Sequence, residues 1–183
     1  MQVLPTRLAG LILLEPDTFA DDRGFFLETF NARRHAQLGI AETFVQDNHS
    51  RSARDTIRGL HFQAAPGQAK LVSVARGRIW DVAVDIRSDS PTFGEWEAFE
   101  LDDIRQWQLF LPVGFAHGFC VLSDEADVCY KVSSYYAPAL ERGIAWDDPT
   151  LNIPWPAEQP RLSDRDRRNP PLGDAVIPRL ATP

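Results

Sequence analysis

The sequence predicts an all-β fold, an antiparallel sandwich or barrel, and three observations carry that prediction. Between Gly10 and Tyr136 the chain breaks into short runs rich in Val, Ile, Phe, Trp and Tyr, separated at fairly regular intervals by Gly, Pro, Asp and Asn. A helical stretch with both a start and a stop signal occurs once, and it is short. The last 46 residues, from Pro138 onward, hold nine of the 14 prolines, which excludes long helices and central strands there. With 183 residues, 44% of them hydrophobic, the chain fits one core rather than two.

Taken in order, the elements justify themselves locally. The longest apolar run, residues 8–14, is too short for a bilayer helix, which needs about 20 residues. It leads straight into Glu15, Pro16 and Asp17 without the small-residue cleavage site of a secretory signal, so a cytoplasmic location is expected. Asn31 can cap a helix over residues 32–38 that Gly39 ends. Residues 70–75 and 78–86 read as a hairpin joined through Arg76 and Gly77. In its second strand Trp80, Val82, Val84 and Ile86 share one face, and Ile79, Asp81, Ala83 and Asp85 the other. Two carboxylates on that second face mean either solvent or the polar interior of a ligand-holding barrel.

The proline-rich tail is expected to lie over the domain as a covering. The expected division is therefore a single domain over 1–183: N-terminal strands and loop in 1–50, barrel core in 51–136, covering segment in 137–183. There is no internal repeat.

The balance of 26 acidic against 19 basic side chains, a net charge of −7, has the wrong sign for capturing nucleic acid polymers. An anionic ligand would need basic residues gathered locally. Cys120 and Cys129 lack CxxC spacing and read as reduced, buried thiols.

Of the histidines at 35, 49, 61 and 117, only His61 and His117 lie in strand-like segments flanked by glycines. His35, in an Arg-rich helix, and His49, in a polar loop, are expected to be solvated. In residues 57–63 alternation sends Arg58, Leu60 and Phe62 one way and Ile57, Gly59, His61 and Gln63 the other. An isolated histidine in such a strand is more often a hydrogen-bonded core residue than a functional one. However, residues 112–117 spell P-x-G-x-x-H, the second half of the cupin pattern, which points to a cupin-like double-stranded jelly-roll barrel with a few short peripheral helices and an extended C-terminal tail. A metal-binding cupin also needs an H-x-H pair in its first half. Phe62 and Gln63 follow His61 instead, so the cavity is expected to work by side-chain acid–base chemistry with no metal and no cofactor.

The residues resemble one family in particular, the nucleotide-sugar 3,5-epimerases typified by dTDP-4-dehydrorhamnose 3,5-epimerase. The resemblance spans nearly the whole chain. It rests on D-R-G-F-F-L-E at 22–28, Q-D-N-H-S at 46–50, R-G-L-H at 58–61, Q-A-K at 68–70, the P-x-G-x-x-H run, Tyr130-Lys131, Tyr135-Tyr136, W-D-D-P at 146–149 and S-D-R-D at 163–166. The family inverts C3 and C5 of dTDP-4-keto-6-deoxy-D-glucose through an enolate. That chemistry needs a base, an acid on the opposite face of the sugar, and donors at the ketone oxygen.

The resemblance implies that His61 is the base and Asp166 its carboxylate partner, that Tyr130 is the acid, and that Lys70 and His117 lie near the C4 oxygen, with Asp81 orienting His117. It implies contacts to the nucleotide from Arg23, Glu28, Gln46, Asn48, Arg58 and Tyr136, some of them supplied by a partner subunit in a homodimer. Without it, Asp166 would read as exposed, Tyr130 as packing and Lys70 as surface. One departure is the loop 63–70, which looks one residue shorter and resembles the P-G-x-A-K form of antibiotic-pathway epimerases. Inversion of C3 alone or C5 alone is thus an alternative, and a non-catalytic nucleotide-sugar-binding cupin is another. A metal-dependent cupin oxygenase or isomerase is the third.

Overall fold

Two antiparallel sheets face each other, and the chain crosses between them repeatedly. The computed structural model describes residues 1–177, so the last six residues of the expected covering segment lie outside the described residues. Strands β1 (Gln2–Leu4) and β2 (Ile12–Glu15) precede a two-stranded ribbon, β3 (Thr18–Asp21) and β4 (Gly24–Leu27), and helix α1 (Ala32–Gln37). Then follow β5 (Gln46–Ala53), β6 (Ile57–Gln63), β7 (Lys70–Arg76), β8 (Arg78–Asp85), β9 (Trp96–Asp102), β10 (Gln108–Leu111), β11 (Phe115–Val121), β12 (Glu125–Val132) and β13 (Glu141–Gly143). One sheet runs β1-β2-β10-β7-β12-β5 and the other β13-β6-β11-β8-β9. This is the cupin-like jelly roll expected from the sequence.

Leu13, Val72 and Leu109 from the first sheet meet Ile79, Leu101 and Val121 from the second in the inter-sheet core. The five-stranded sheet is buried on its outer face as well. There Leu60, Phe62, Val82, Val84 and Ile86 pack under Ile144, Leu151 and Leu172 of the C-terminal segment. Burying a large aliphatic side chain stabilises by about 1.5–3 kcal/mol, so these three residues fasten the tail firmly. Among the described residues the tail contributes no central strand; β13 is an edge strand.

Four expectations are corrected. Residues 70–76 and 78–85 are strands but not a hairpin: β7 pairs with β10 and β12, whereas β8 pairs with β11 and β9. Gly77 (φ +82°) instead makes the corner where the chain changes sheets, and a Cβ there would strike the carbonyl oxygen of Glu125. His35 is fully buried, not solvated, with Nε2 at 3.3 Å from Gln108 Oε1. It lies on the inner side of α1 while Arg33 and Arg34 face out. Cys129 is only half-buried, on the outer face of its sheet, whereas Cys120 is buried.

The fourth correction is in β6. His61 pairs with His117, yet Arg58 pairs with Phe119, so β6 carries one extra residue between them. This bulge turns Arg58 to the same side as His61, against simple alternation. It forms where Gly59 (φ +123°) meets Gly118, and a Cβ on Gly59 would lie 2.6 Å from Gly118 Cα. Two facing glycines make that approach possible.

The helix agrees with its sequence signals. Asn31 Oδ1 accepts from the Arg33 and Arg34 amides, Leu38 caps the C-terminus, and Gly39 follows at φ +96°. Asp81 and Asp85 are both fully buried, so the carboxylate-bearing face of β8 is interior. Among the described residues no helix is long and apolar enough to cross a membrane.

Candidate active site

A cavity of about 400 Å³ opens between the sheets, within the usual size range of small-molecule sites. The five-stranded sheet supplies Arg58 and His61 from β6, His117 from β11 and Glu141 from β13. The six-stranded sheet supplies Gln46 and Asn48 from β5, Lys70 from β7 and Tyr130 from β12. His61 and Tyr130 therefore approach the same space from opposed sheets.

The C-terminal segment closes back on β6 and places Asp166 Oδ1 2.6 Å from His61 Nε2. Asp166 is 3% exposed, against the exposure its charged neighbours would suggest. Burial by itself would raise its carboxyl, but hydrogen bonding and charge from His61, with Ser163 and Arg165, bring it net below the usual carboxylate range. It is an anion at neutral pH. With Nε2 committed to Asp166, His61 Nδ1 has no protein hydrogen-bond partner among the described residues and is the ring nitrogen available to a ligand.

His117 Nε2 lies 2.9 Å from Asp81 Oδ2 in the buried interior. Burial lowers the His117 pKa despite the carboxylate, which keeps the imidazole neutral at pH 7. The other oxygen of Asp81, Oδ1, is buried without a partner. Lys70 is 9% exposed, and burial pulls its ammonium down to about 8, with Glu141 and Asp81 opposing. Its Nζ lies 3.5 Å from the His61 carbonyl oxygen, which leaves the cation lightly held. Tyr130 is pushed up by burial and stays protonated through the physiological range.

At the cavity mouth Arg58 Nε donates to Ser52 Oγ at 2.9 Å, leaving its terminal nitrogens free to meet an anion. Gln46 donates to Asn48 Oδ1 at 2.9 Å and accepts from the Tyr136 amide at 3.0 Å. Tyr136 is exposed at the rim. Ten of the twelve site residues expected from the sequence are thus gathered here, eight lining the cavity and Asp81 and Asp166 standing behind its two histidines.

Two are not gathered. Arg23 sits at the tip of the β3–β4 ribbon with 86% of its side chain exposed, paired to Asp21. Glu28, just after the ribbon, bonds to Asn31 and Arg34. Neither lines the cavity of its own chain.

Sequence reasoning missed Glu141. It pairs opposite Gln63 at the sheet edge, lines the cavity together with Tyr136 and forms an ion pair with Arg165 at 2.5 Å. No local pattern announces it; only the β13–β6 pairing brings it in. Among the described residues no group of three His, Cys, Asp or Glu side chains could hold a metal ion. Cys120, buried and raised to about 11, offers no nucleophile.

A family model described as dTDP-4-dehydrorhamnose 3,5-epimerase matches residues 5–174. The dTDP-4-dehydrorhamnose 3,5-epimerase of Shigella flexneri is 48% identical over 177 residues, covering 96% of this chain and 98% of that relative. A crystal structure of a dTDP-6-deoxy-D-glucose-3,5-epimerase from Legionella pneumophila, in complex with dTDP-4-keto-L-rhamnose, superposes with a TM-score of 0.95 at 45% identity and covers 99% of both chains. The dTDP-4-dehydrorhamnose 3-epimerase of Streptomyces niveus is 42% identical, covering 100% of this chain and 91% of that relative.

Proposed function

This chain belongs to the dTDP-4-dehydrorhamnose 3,5-epimerase family, and from that premise we propose how its cavity carries out the reaction. The protein is an isomerase that inverts C3 and C5 of a nucleotide-linked 4-keto-6-deoxyhexose, converting dTDP-4-dehydro-6-deoxy-D-glucose to dTDP-4-dehydro-L-rhamnose. Each stereocentre is alpha to the C4 ketone, so loss of its proton gives an enolate. His61 takes that proton, and Asp166 holds the ring and offsets the imidazolium charge. Lys70 donates to the C4 oxygen and stabilises the enolate, while His117, its Nε2–H held by Asp81, lines the cavity beside that oxygen. Tyr130 returns a proton to the opposite face at the same carbon, which inverts it, and solvent resets both groups before the second carbon reacts.

The observation that carries this reading is the meeting of a carboxylate-backed imidazole and a protonated phenol from opposed sheets in one cavity, beside a buried ammonium. A binding module has no use for such a set.

Arg58, Gln46, Asn48 and Tyr136 hold the nucleotide diphosphate. Arg23 and Glu28 do so from a second subunit, in a homodimer that shares its sites. In support, Phe19, Phe25 and Phe26 on the β3–β4 ribbon are 66%, 56% and 70% exposed, an apolar surface that a partner chain would cover. Residues 1–183 work as one domain. We place the protein in the cytoplasm, where thiols such as Cys120 and Cys129 stay reduced.

The Streptomyces niveus relative is named a 3-epimerase, which makes C3-only inversion the second reading. NMR of the product formed from dTDP-4-dehydro-6-deoxy-D-glucose decides: ring couplings showing both centres inverted support the double epimerase. A product changed at C3 alone supports the second reading, and unchanged substrate contradicts both.

A further inference from the structure

The segment that carries Asp166 is held at both ends, and its downstream fastening ends on a carboxylate remote from the cavity lining. Upstream, Arg161 bonds through its amide to the Asp55 carbonyl at 2.8 Å and through its carbonyl to the Ile57 amide at 3.0 Å, at the start of β6. Downstream, among the described residues, two hydrogen bonds tie residues 167–172 to the body. The Ala145 amide donates to the Pro170 carbonyl at 2.8 Å, and the Leu172 amide donates to Asp148 Oδ2 at 2.6 Å.

Asp148 is 2% exposed and has no cationic side-chain partner among the described residues. Its Oδ1 accepts from the amides of Thr150 and Leu151, each at 2.8 Å, so both oxygens are filled by backbone N–H groups. Between Asp166 and Leu172 the chain runs through Pro170 and Pro171, whose fixed φ leaves little slack. Displacing Leu172 therefore displaces the short helical turn on which Asp166 sits.

We propose that Asp148 is a positioning residue for the His61–Asp166 pair: by accepting the Leu172 amide it sets the depth to which the tail delivers the Asp166 carboxylate against the imidazole. The inference rests on the assigned reaction only in giving that pair a task. The hydrophobic contacts of Leu172 and Leu151 press the tail onto the sheet but fix no register along it. A hydrogen bond to a buried carboxylate is short and directional and does fix one.

Two variants probe this. Asp148→Asn keeps the shape but turns a donor toward one side of the junction. Asp148→Ser keeps a hydroxyl that can cap the Thr150–Leu151 turn but cannot reach Leu172. The activity-independent readout is the downfield imidazole N–H resonance of the His61–Asp166 bond in proton NMR, assigned by its loss in Asp166→Asn. Both Asp148 variants should move or broaden it, and Asp147→Asn, at the exposed neighbour, should leave it in place.

In deuterium exchange at C3 and C5, each Asp148 variant should lower kcat about 10- to 100-fold with little change in KM, the size expected for a small misplacement of a catalytic group. In an Asp166→Asn background the same change should cost less than about twofold, because the pair it positions is already gone. An unchanged resonance in a folded Asp148 variant overturns the proposal. So does an equal loss of rate in both backgrounds, which would mark Asp148 as a general stabiliser. A shifted resonance in a protein whose wild type exchanges neither proton would instead uphold the positioning and refute the assigned reaction.

Discussion

Replacing Asp166 by Asn removes a charge while keeping the shape of the side chain, and the structure sets the size of the effect. The Oδ1 to Nε2 distance is 2.6 Å and the carboxylate is buried, so the bond to an imidazolium is a charge-assisted one. Such bonds contribute about 1.5–3 kcal/mol. At about 1.4 kcal/mol per decade, losing one as His61 takes the proton lowers kcat about 10- to 100-fold. The amide adds a second cost, because its NH2 group can turn toward Nε2 and force the proton onto Nδ1, the nitrogen that must accept. In a comparable His–Asp pair that error costs about 10⁴-fold.

The expected loss in kcat for Asp166→Asn therefore lies between about 10²- and 10⁴-fold, with KM little changed, measured by NMR of label uptake from deuterated water. A loss below about tenfold at pH 7 would refute the role of the pair. Stability provides a separate check. The carboxyl of Asp166 is lowered in the folded state, so its contribution is present above the ordinary carboxylate range and disappears as pH falls through the folded value. Wild type and Asp166→Asn should differ most in unfolding free energy near neutrality and converge in acid.

Further outcomes follow from other residues. Lys70 titrates near 8, so kcat should fall as pH rises past that value, and Lys70→Met should lose about 10²- to 10³-fold, as for removal of an oxyanion donor; a flat alkaline profile would exclude Lys70 from the C4 oxygen. Because the buried Lys70 binds its proton more weakly than in the unfolded chain, its contribution to unfolding free energy should increase with pH between about 8 and the usual lysine range, read from urea midpoints. Gly59→Ala meets a strained φ of +123° and the Gly118 backbone at 2.6 Å. It should cost about 2–6 kcal/mol of stability in urea, and an unchanged midpoint would contradict the bulge that turns Arg58 inward. Arg58→Ala should raise KM about tenfold or more with kcat nearly kept, since a phosphate contact binds ground and transition states alike.

Particular residues show what was legible in the sequence. The β8 alternation was readable because both faces of that strand are buried, one by the opposite sheet and one by the tail, so its apolar and carboxylate faces separate cleanly. Asn31 and Gly39 marked the helix because caps act within a few residues. The corner at Gly77 is ambiguous in sequence because a glycine with positive φ serves a hairpin and a change of sheet equally well, and only long-range pairing tells them apart.

The side taken by Arg58 is hidden for a similar reason: a bulge depends on the partner strand, here on Gly118, and leaves no mark on its own period. His61, Lys70 and Tyr130 were read from motifs, whereas Glu141 reaches the cavity through strand pairing alone. Asp166, in a charged run that composition assigns to solvent, is buried because the tail crosses β6.

Isotope wash-in at both carbons, compared across wild type, His61→Ala and Tyr130→Phe, tests the central claim most directly. Label is expected at C3 and C5 for the wild type, none for His61→Ala, and label without inversion for Tyr130→Phe. Wild-type exchange in His61→Ala, or full inversion in Tyr130→Phe, would contradict it.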